Sequence, residues 1–285
     1  LTVCASGWDF TSINAAIAAA DDGYVIELSA ETYSEGINVD TMGKAITLRG
    51  ATDAGGNPTS ILDGGGTHRL LICSSGEGPE TRFENLMIQN GFFRGMLNTN
   101  GSSPTLVNCT FDNNSGSSVG AGMSNGFDSN PTLIDCTFTN NRSWESGGAM
   151  SNSGSSPTLI RCTFMNNMAT PNGGFLRSNQ GDGYTFGGAM FNGNGSNPIM
   201  VDCLFTGNSS LNFGGAIYNY EGSSPILSNS IVCENTVGGS ASDANQIEGD
   251  PLSAESSDNC IFGSCDDCEP CLGDINGDGE VSAAD

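Results

Sequence analysis

Short apolar runs alternate with turn-forming polar residues along this chain, and between residues 91 and 235 the whole pattern repeats. Four repeats carry a proline, an apolar run and then Cys-x-Phe, as in 104–111, and a fifth begins with Ser-Pro-Ile-Leu at 224–227. The repeat prolines are separated by 27, 26, 41 and 27 residues, and the interval of 41 is one period plus about 15 inserted residues. A fixed period in the twenties indicates a solenoid, in which each unit buries its apolar face only against its neighbours.

The apolar runs within each period are too short for helices. One is the proline-led run, and the other is Gly-Ala-Met-x-Asn, seen at 148–152 and 188–192. Gly, Ser, Asn and Pro fill the gaps, which is typical of strands bounded by turns. We therefore predict an all-β parallel β-helix with coils of about 23–27 residues, stacked about 4.8 Å apart.

Stacking of the coils converts the repeat into columns of equivalent residues. Three columns are predicted to be core ladders: Phe111, Phe138, Phe164 and Phe205; Cys109, Cys136, Cys162 and Cys203; Met96, Met123, Met150, Met190 and Ile217. Two asparagine columns are predicted at turns: Asn114, Asn141, Asn167, Asn208 and Asn235; Asn98, Asn125, Asn152, Asn192 and Asn219. Stacked amides can hydrogen-bond from coil to coil and so satisfy buried polar groups at a bend.

The N-terminal part predicts a short amphipathic helix that covers the first coil. Ser12 or Thr11 is a suitable N-cap, and Gly23 is a stop signal. The apolar face of this helix comprises Ile13, Ala16, Ile17 and Ala20. Further strands are predicted at 45–48, 60–62, 70–72 and 83–88.

The segment 9–28, a helix followed by Tyr-Val-Ile-Glu-Leu, resembles the opening of the pectin-lyase-like right-handed β-helix family. The Gly-Gly-Ala-Met and Asn-Cys-Thr-Phe phrases also resemble β-helix repeats of secreted bacterial proteins, so the resemblance covers roughly residues 8–237. The predicted organisation has an N-terminal segment with a capping helix (1–23), the β-helix (24–237, with an insertion at 169–184), a Cys-rich acidic segment (238–272) and a partial calcium loop (273–285).

The charge balance restricts the partners. The 285 residues contain 32 acidic and 8 basic side chains, giving a net charge of −24. Such a surface disfavours nucleic acid and anionic membranes. No stretch is long and apolar enough for membrane insertion. Because the chain begins with Leu rather than Met, we expect a processed, secreted protein at the cell surface or outside the cell.

The eleven cysteines separate into the four of the ladder and seven others. We expect the ladder cysteines to be reduced core residues. Cys260, Cys265, Cys268 and Cys271 are closely spaced, and in an acidic segment of a secreted protein this spacing favours disulfides over a metal site.

The C-terminal segment 274–285 fits a twelve-residue calcium loop. Oxygen ligands fall at the required positions, and Gly279 occupies the position of the sharp turn. The predicted ligands of Ca²⁺ are Asp274, Asn276, Asp278, Glu280 (through its carbonyl), Ser282 and Asp285. Asp at the twelfth position resembles a dockerin loop, which implies a cohesin partner. A dockerin has two such loops, however, and here the sequence stops at the end of one.

One outward column contains charged residues: Asn108, Asp135, Arg161, Asp202 and Asn229. Asp135 and Asp202 would lie two coils, or about 9.6 Å, apart, which is near the upper end of the inverting-glycosidase range. Arg161 lies between them, and an Asp–Arg–Asp ladder would stabilise the column and keep both carboxylates ionised. These three residues are the weak catalytic candidates, and the structural interpretation is favoured.

Other catalytic signals are weaker. The pectin-lyase-like resemblance implies a basic proton acceptor with calcium in a lyase, but the arginines of the later coils (Arg82, Arg94, Arg142, Arg161 and Arg177) show no pairing with a carboxylate cluster. The single histidine, His68, gives little support to a nucleophilic triad.

Three functional hypotheses follow. The first is a non-catalytic structural or adhesive protein that self-assembles with homo-oligomeric neighbours into a filament or layer, with calcium as a bridge. The second is a polysaccharide-binding or polysaccharide-degrading protein (a lyase or glycoside hydrolase), and the third is a scaffold module that docks on cohesin.

The insertion contains the apolar and aromatic residues Phe175, Leu176, Tyr184 and Phe186. It is either a loop that binds a ligand or a self-packed surface loop.

Overall fold

The computed structural model describes residues 1–4, 9–116, 119–171 and 184–268. Within these residues it is a parallel β-solenoid with three long sheets and one short sheet, which confirms the predicted fold class. We number the three long sheets 1 to 3 in the order in which each coil visits them, and the short sheet, which the chain visits between sheets 2 and 3, is sheet 4.

Sheet 1 contains Thr2–Val3, Val25–Leu28, Thr47–Arg49, Arg82–Glu84, Thr105–Val107, Thr132–Ile134, Thr158–Ile160, Ile199–Val201 and Ile226–Ser228. Sheet 2 contains Thr32–Tyr33, Ser60–Asp63, Leu86–Gln89, Thr110–Asp112, Thr137–Thr139, Thr163–Met165, Leu204–Thr206, Ile231–Cys233 and Cys260–Phe262. Sheet 3 contains Val39–Asp40, Leu71–Cys73, Met96–Asn98, Met123–Gly126, Met150–Ser153, Met190–Gly193, Ile217–Asn219 and Ile247–Gly249. Sheet 4 contains Arg142–Ser143, Met168–Ala169, Ser209–Ser210, Thr236–Val237 and Ser240–Ala241.

The proline-led run of each repeat forms two strands rather than one. The bend falls at the outward column, where Asn108, Asp135, Arg161, Asp202 and Asn229 all have left-handed backbones with φ between 46° and 56°. Asn85, with φ 56°, divides the single strand predicted at 83–88 into Arg82–Glu84 and Leu86–Gln89 in the same way. Asparagine and aspartate tolerate this conformation, so the column serves as the corner between sheets 1 and 2.

The predicted core ladders are all present. The rings of Phe111, Phe138, Phe164 and Phe205 stack with centroids 4.6–4.9 Å apart and planes within 4° of each other. The four ladder cysteines are buried and free. The methionine column pairs in register from Met96 to Met190 and ends on Ile217.

Both asparagine ladders are continuous. From Asn114 to Asn208, each side-chain NH₂ donates to the Oδ1 of the next coil at 2.8–3.0 Å, and the same Oδ1 also accepts the backbone N–H of the donor residue. The ladder from Asn98 to Asn219 makes the same side-chain bonds at 2.8–2.9 Å. Gln246 continues the first ladder by accepting from Asn235 at 2.8 Å.

The N-terminal helix, α1, spans Ile13–Ala19 and is capped by Ser12, whose hydroxyl accepts the backbone N–H of Ala15. It ends at Ala20, before the Gly23 stop signal, because the chain becomes extended there. The ammonium group of Lys44, the chain's one lysine, donates to the carbonyls of Ile17, Ala18 and Ala20 at 2.7–3.0 Å. A cation at this end stabilises the helix by satisfying its free carbonyl groups.

Strands of the sheets also lie outside the predicted β-helix limits of 24–237. Thr2–Val3 pairs with Val25–Leu28, and Ile247–Gly249 and Cys260–Phe262 extend sheets 3 and 2. Disulfides Cys233–Cys265 and Cys260–Cys268 fasten this last coil, and Cys271 lies outside the described residues. No helix of the described residues is long and apolar enough to cross a membrane.

Candidate functional site

The charged column on the corner between sheets 1 and 2 brings two of the three candidate residues into contact. Arg161 donates through Nε to Asp135 Oδ1 at 2.7 Å and through Nη2 to Oδ2 at 3.0 Å. Asp202 instead accepts from the side chain of Asn229 at 2.6 Å. The hydrogen bonds and charge of Asp135 raise the pKa of Arg161. This geometry is that of an exposed bidentate ion pair rather than of two free carboxylates facing a sugar.

The predicted calcium ligands in the segment 274–285 lie outside the described residues, so calcium binding there stays a prediction. Within the described ranges, no group of three or more His, Cys, Asp or Glu side chains is arranged to hold a metal ion.

A different set of side chains forms the most distinctive surface of the described coils. We define the aromatic cluster as Tyr184, Phe186, Phe191, Phe213, Tyr218 and Tyr220. The rings of Phe186 and Phe213 stack with centroids 5.5 Å apart, and Phe186 lies 4.8 Å from Tyr218. Tyr218 also lies 5.9 Å from Phe213 and 6.2 Å from Phe191.

The solenoid register explains how the aromatic cluster assembles. Phe191 and Tyr218 are paired residues on adjacent strands of sheet 3, with side chains on its outer face. Tyr220 follows Tyr218 by two residues, and their rings are 6.5 Å apart. Phe186 and Phe213 form a bridge in the loops that precede those strands. The loop rings are thereby held against the strand rings.

Two glycines allow the loops to approach the strands this closely. Gly187 and Gly214 have φ of 63° and 62°, and each follows a cluster phenylalanine. A Cβ at Gly187 would collide with the carbonyl of Met190, and one at Gly214 with the carbonyl of Ile217. Glycine is therefore required by both the left-handed backbone and the close contact.

The cluster presents ring surface to solvent. Tyr184, Phe213 and Tyr220 are 46%, 37% and 46% exposed, whereas large apolar side chains of a folded domain are normally buried when they are clustered. Contiguous exposed aromatic surface of this kind marks a binding surface more often than a structural one.

The charges beside the cluster are negative. Glu248 is paired with Tyr218 in register, and burial raises the pKa of its carboxyl group. Burial is the main cause that raises the pKa of Tyr218, and the negative charge of the ionised forms of Tyr220, Glu248 and Asp250 raises it further. The sequence contains no Lys or Arg after Arg177, so no basic residue of these last coils offsets the carboxylates.

The sequence indicated only part of this surface. The insertion drew attention to Tyr184 and Phe186, which belong to the cluster, and to Phe175 and Leu176, which lie outside the described residues. Phe191, Phe213, Tyr218 and Tyr220 were missed. The signal was present, because Phe213 and Tyr218 precede and follow Gly-Gly-Ala at the same offsets as Phe186 and Phe191.

Comparison with known proteins agrees with the architecture. The family model described as right handed beta helix region matches residues 8–266, so this chain belongs to the right-handed β-helix family. Among solved structures, the deglycosylated pectin methylesterase from Aspergillus niger is similar over 100% of this chain and 97% of its own, with 13% identity and a TM-score of 0.52. Pectate lyase Pel9A is similar over 86% of this chain and 73% of its own, with 14% identity and a TM-score of 0.43. No curated protein matches the chain. These similarities concern the fold, and the function has to be argued from the surface.

Proposed function

We propose that this protein is an extracellular polysaccharide-binding β-helix and that the aromatic cluster is its sugar-binding platform. The observation that carries the proposal is the exposed ring surface of Tyr184, Phe213 and Tyr220, supported from beneath by Phe186 and Tyr218. The C–H faces of a sugar ring are apolar and pack against the negative face of an aromatic ring. A platform fixed to a stacked solenoid keeps its geometry without any ordering cost on binding.

The charges beside the cluster favour a neutral polysaccharide. Glu248 and Asp250 flank Tyr218, and a uronate chain would bring further carboxylates to the same place. Like charges at close range oppose binding. Hydroxyl groups of a neutral sugar can instead donate hydrogen bonds to these acceptors.

Affinity gel electrophoresis tests this proposal. The protein is run through gels containing hydroxyethyl cellulose, glucomannan, xylan or polygalacturonate, and retardation is compared with that in a gel without polysaccharide. We expect retardation by at least one neutral polymer, and any retardation by polygalacturonate should be unaffected by substitutions in the aromatic cluster. Tyr220→Ala is expected to weaken that binding about 5- to 30-fold, since a stacked ring contributes about 1–2 kcal/mol.

Phe127→Ala is the matched control, because Phe127 is the most exposed aromatic residue described, at 78%, and does not belong to the cluster. Equal losses for both variants, or no retardation by any neutral polymer, would contradict the proposal.

Hydrolysis of the bound polysaccharide is a second candidate function, favoured by one observation. The carboxyl group of Glu248, with its pKa raised by burial, lies beside the platform, and a general acid requires such a shift. Release of reducing ends that is lost in Glu248→Gln, while binding persists, would assign Glu248 the role of the acid. If no bound polymer releases reducing ends, the protein binds polysaccharide and does not hydrolyse it.

Two expectations from the sequence remain proposals of their own. Self-association into filaments or layers predicts ordered assemblies in electron micrographs of the purified protein. A bridging role for calcium predicts that a chelator disperses them. Single rods in both conditions would refute the assembly hypothesis, and the platform proposal does not depend on it.

A further inference from the structure

Two arginines occupy equivalent positions in consecutive coils, just before strands of sheet 3. Arg69 precedes Leu71–Cys73 by two residues, and Arg94 precedes Met96–Asn98 by two. The backbone N–H of Leu71 donates to the carbonyl of Gly95 at 2.9 Å, and that of Phe92 donates to the carbonyl of His68 at 2.9 Å. These bonds hold the two arginine-bearing segments side by side.

Neither guanidinium has an acidic partner among the described residues. The ion pairs within the described residues involve Arg49, Arg82 and Arg161. Arg94 donates through Nε to the carbonyl of Val119 at 3.3 Å, which is a long bond to a neutral acceptor. The Nε of Arg69 is buried without a hydrogen-bond partner, as is Nε2 of the adjacent His68.

The two charges are desolvated and also repel each other. Burial lowers the pKa of Arg69. Burial first, and then the charge of Arg69, lower the pKa of Arg94 to about 10. An unpaired charge is costly even when it is only partly buried, and a chain with 32 acidic residues has ample means of pairing two arginines. At this corner of the solenoid, the two arginines lie side by side and no carboxylate of the described residues neutralises their charge.

We propose that Arg69 and Arg94 form a binding site for a single oxyanion group, a carboxylate or a sulfate. Each guanidinium carries five N–H donors in a planar fork that matches the oxygens of such a group. Among the described residues, few of these donors are used. A bound anion would offset the repulsion between the two arginines. This site lies in earlier coils than the aromatic cluster and does not depend on the proposed function.

The surroundings favour an anion attached to an organic ligand. Phe93, the residue before Arg94, is 51% exposed, and its ring lies 4.4 Å from that of Phe92. Phe92 in turn lies 6.2 Å from Trp144. An apolar rim beside a cationic site suits a ligand that carries both an oxyanion and a body able to pack on aromatic rings.

Calorimetric titration at fixed ionic strength tests the site. Sodium sulfate is titrated against a sodium chloride blank, and glucuronate and glucose 6-sulfate are titrated against glucose. We expect saturable binding of sulfate by the native protein and at least tenfold weaker binding by Arg69→Gln and by Arg94→Gln. Arg142→Gln is the matched control, since Arg142 is an exposed arginine two coils beyond Arg94, and the variant should bind as the native protein does.

The organic ligands distinguish a site for free ions from one for sugars. Tighter binding of glucuronate or glucose 6-sulfate than of sulfate would support the role of the aromatic rim, and equal binding would restrict the site to the oxyanion itself. Binding of sulfate that is absent, or that is unchanged in both glutamine variants, would overturn the proposal.

Thermal unfolding separates this role from a purely structural one. Arg69→Met and Arg94→Met keep the length of the side chain and remove the unpaired charge. If the arginines are held for a ligand, both variants should unfold at or above the native temperature without anion and lose the stabilisation that sulfate gives the native protein. A markedly lower unfolding temperature without anion in both variants would show that the arginines stabilise the fold and would refute the site.

Discussion

Substitution of one asparagine in the buried ladder provides a quantitative test of what holds the coils in register. Asn167 Oδ1 accepts from the backbone N–H of Asn141 at 3.0 Å and from its side chain at 2.9 Å. Its own NH₂ group donates to the carbonyl of Phe138 and to Asn208 Oδ1, both at 2.9 Å. Asn167→Ala removes all four bonds and leaves the buried N–H of Asn141 without its partner.

The size of the effect follows from these contacts. The orphaned N–H costs about 1–3 kcal/mol, and the three other bonds contribute about 0.5–1.5 kcal/mol each, so we expect a loss of about 2.5–7.5 kcal/mol. Asn140→Gly is the control, because the side chain of Asn140 makes an exposed bond to Asp112 and glycine accepts its φ of 55°. We expect that variant to lose less than about 1 kcal/mol.

Urea unfolding followed by circular dichroism measures both free energies of unfolding. The two free energies can be compared directly if the slope of the free energy of unfolding against urea concentration is the same for both variants. A loss for Asn167→Ala no greater than that for Asn140→Gly would refute the view that the ladder fixes the register.

Three further predictions concern charge, the last coil and calcium. Burial raises the pKa of Glu248, so its contribution to stability is present below the unfolded pKa of about 4.3 and is lost as pH rises through the folded pKa. In pH-dependent unfolding experiments, the stability of Glu248→Gln relative to the native protein should therefore increase as pH rises above about 4. Glu77 should show the opposite pH dependence, because hydrogen bonds from Ser75, Ser102 and Thr41 outweigh burial and lower its pKa. Glu77→Gln should be least stable relative to the native protein at neutral pH, and the difference should shrink as pH falls through the folded pKa. Equal pH profiles for the two variants would contradict both assignments. Cys265→Ser should lower the free energy of unfolding by up to about 3–4 kcal/mol, because Cys233–Cys265 closes a loop of 32 residues, and an unchanged value under oxidising conditions would argue against this pairing. Calcium titration should release heat in the native protein and not in Asp274→Ala, while a heat unchanged by that substitution would place calcium elsewhere.

The repeat made the interior of the fold predictable. Residues such as Phe138 and Asn141 recur at a fixed offset, and in a stacked solenoid a fixed offset places a residue directly above its equivalent. The core ladders and the asparagine ladders followed from that single geometric fact, and all are found in the structure.

The corners were harder to predict because they depend on backbone conformation. Asp135 and Arg161 appeared to belong to an extended outward column, whereas their left-handed φ angles of 54° and 51° place them at a bend. The helix end was also misjudged: Lys44, which lies 24 residues beyond Ala20, satisfies the last carbonyls, and a local stop signal carries no information about such a contact.

The aromatic cluster and the arginine pair were missed for a related reason. The arginines, Phe186 and Phe213 lie in the loops before sheet 3, whereas Phe191 and Tyr218 lie on its strands. Only the pairing of coils shows which of these residues become neighbours. Arg69 and Arg94 are 25 residues apart in sequence and adjacent in the solenoid. Attention to the position two residues before each sheet-3 strand would have identified that pair.

A crystal structure of the protein with a hexasaccharide of the neutral polysaccharide that binds, chosen from cello-, manno- and xylo-hexaose, tests the central claim most directly. The proposed function predicts sugar rings packed on Tyr184, Phe213 and Tyr220, with hydroxyl groups directed to Glu248 or Asp250. Sugar bound on another face of the solenoid, with the aromatic cluster bare, would contradict it.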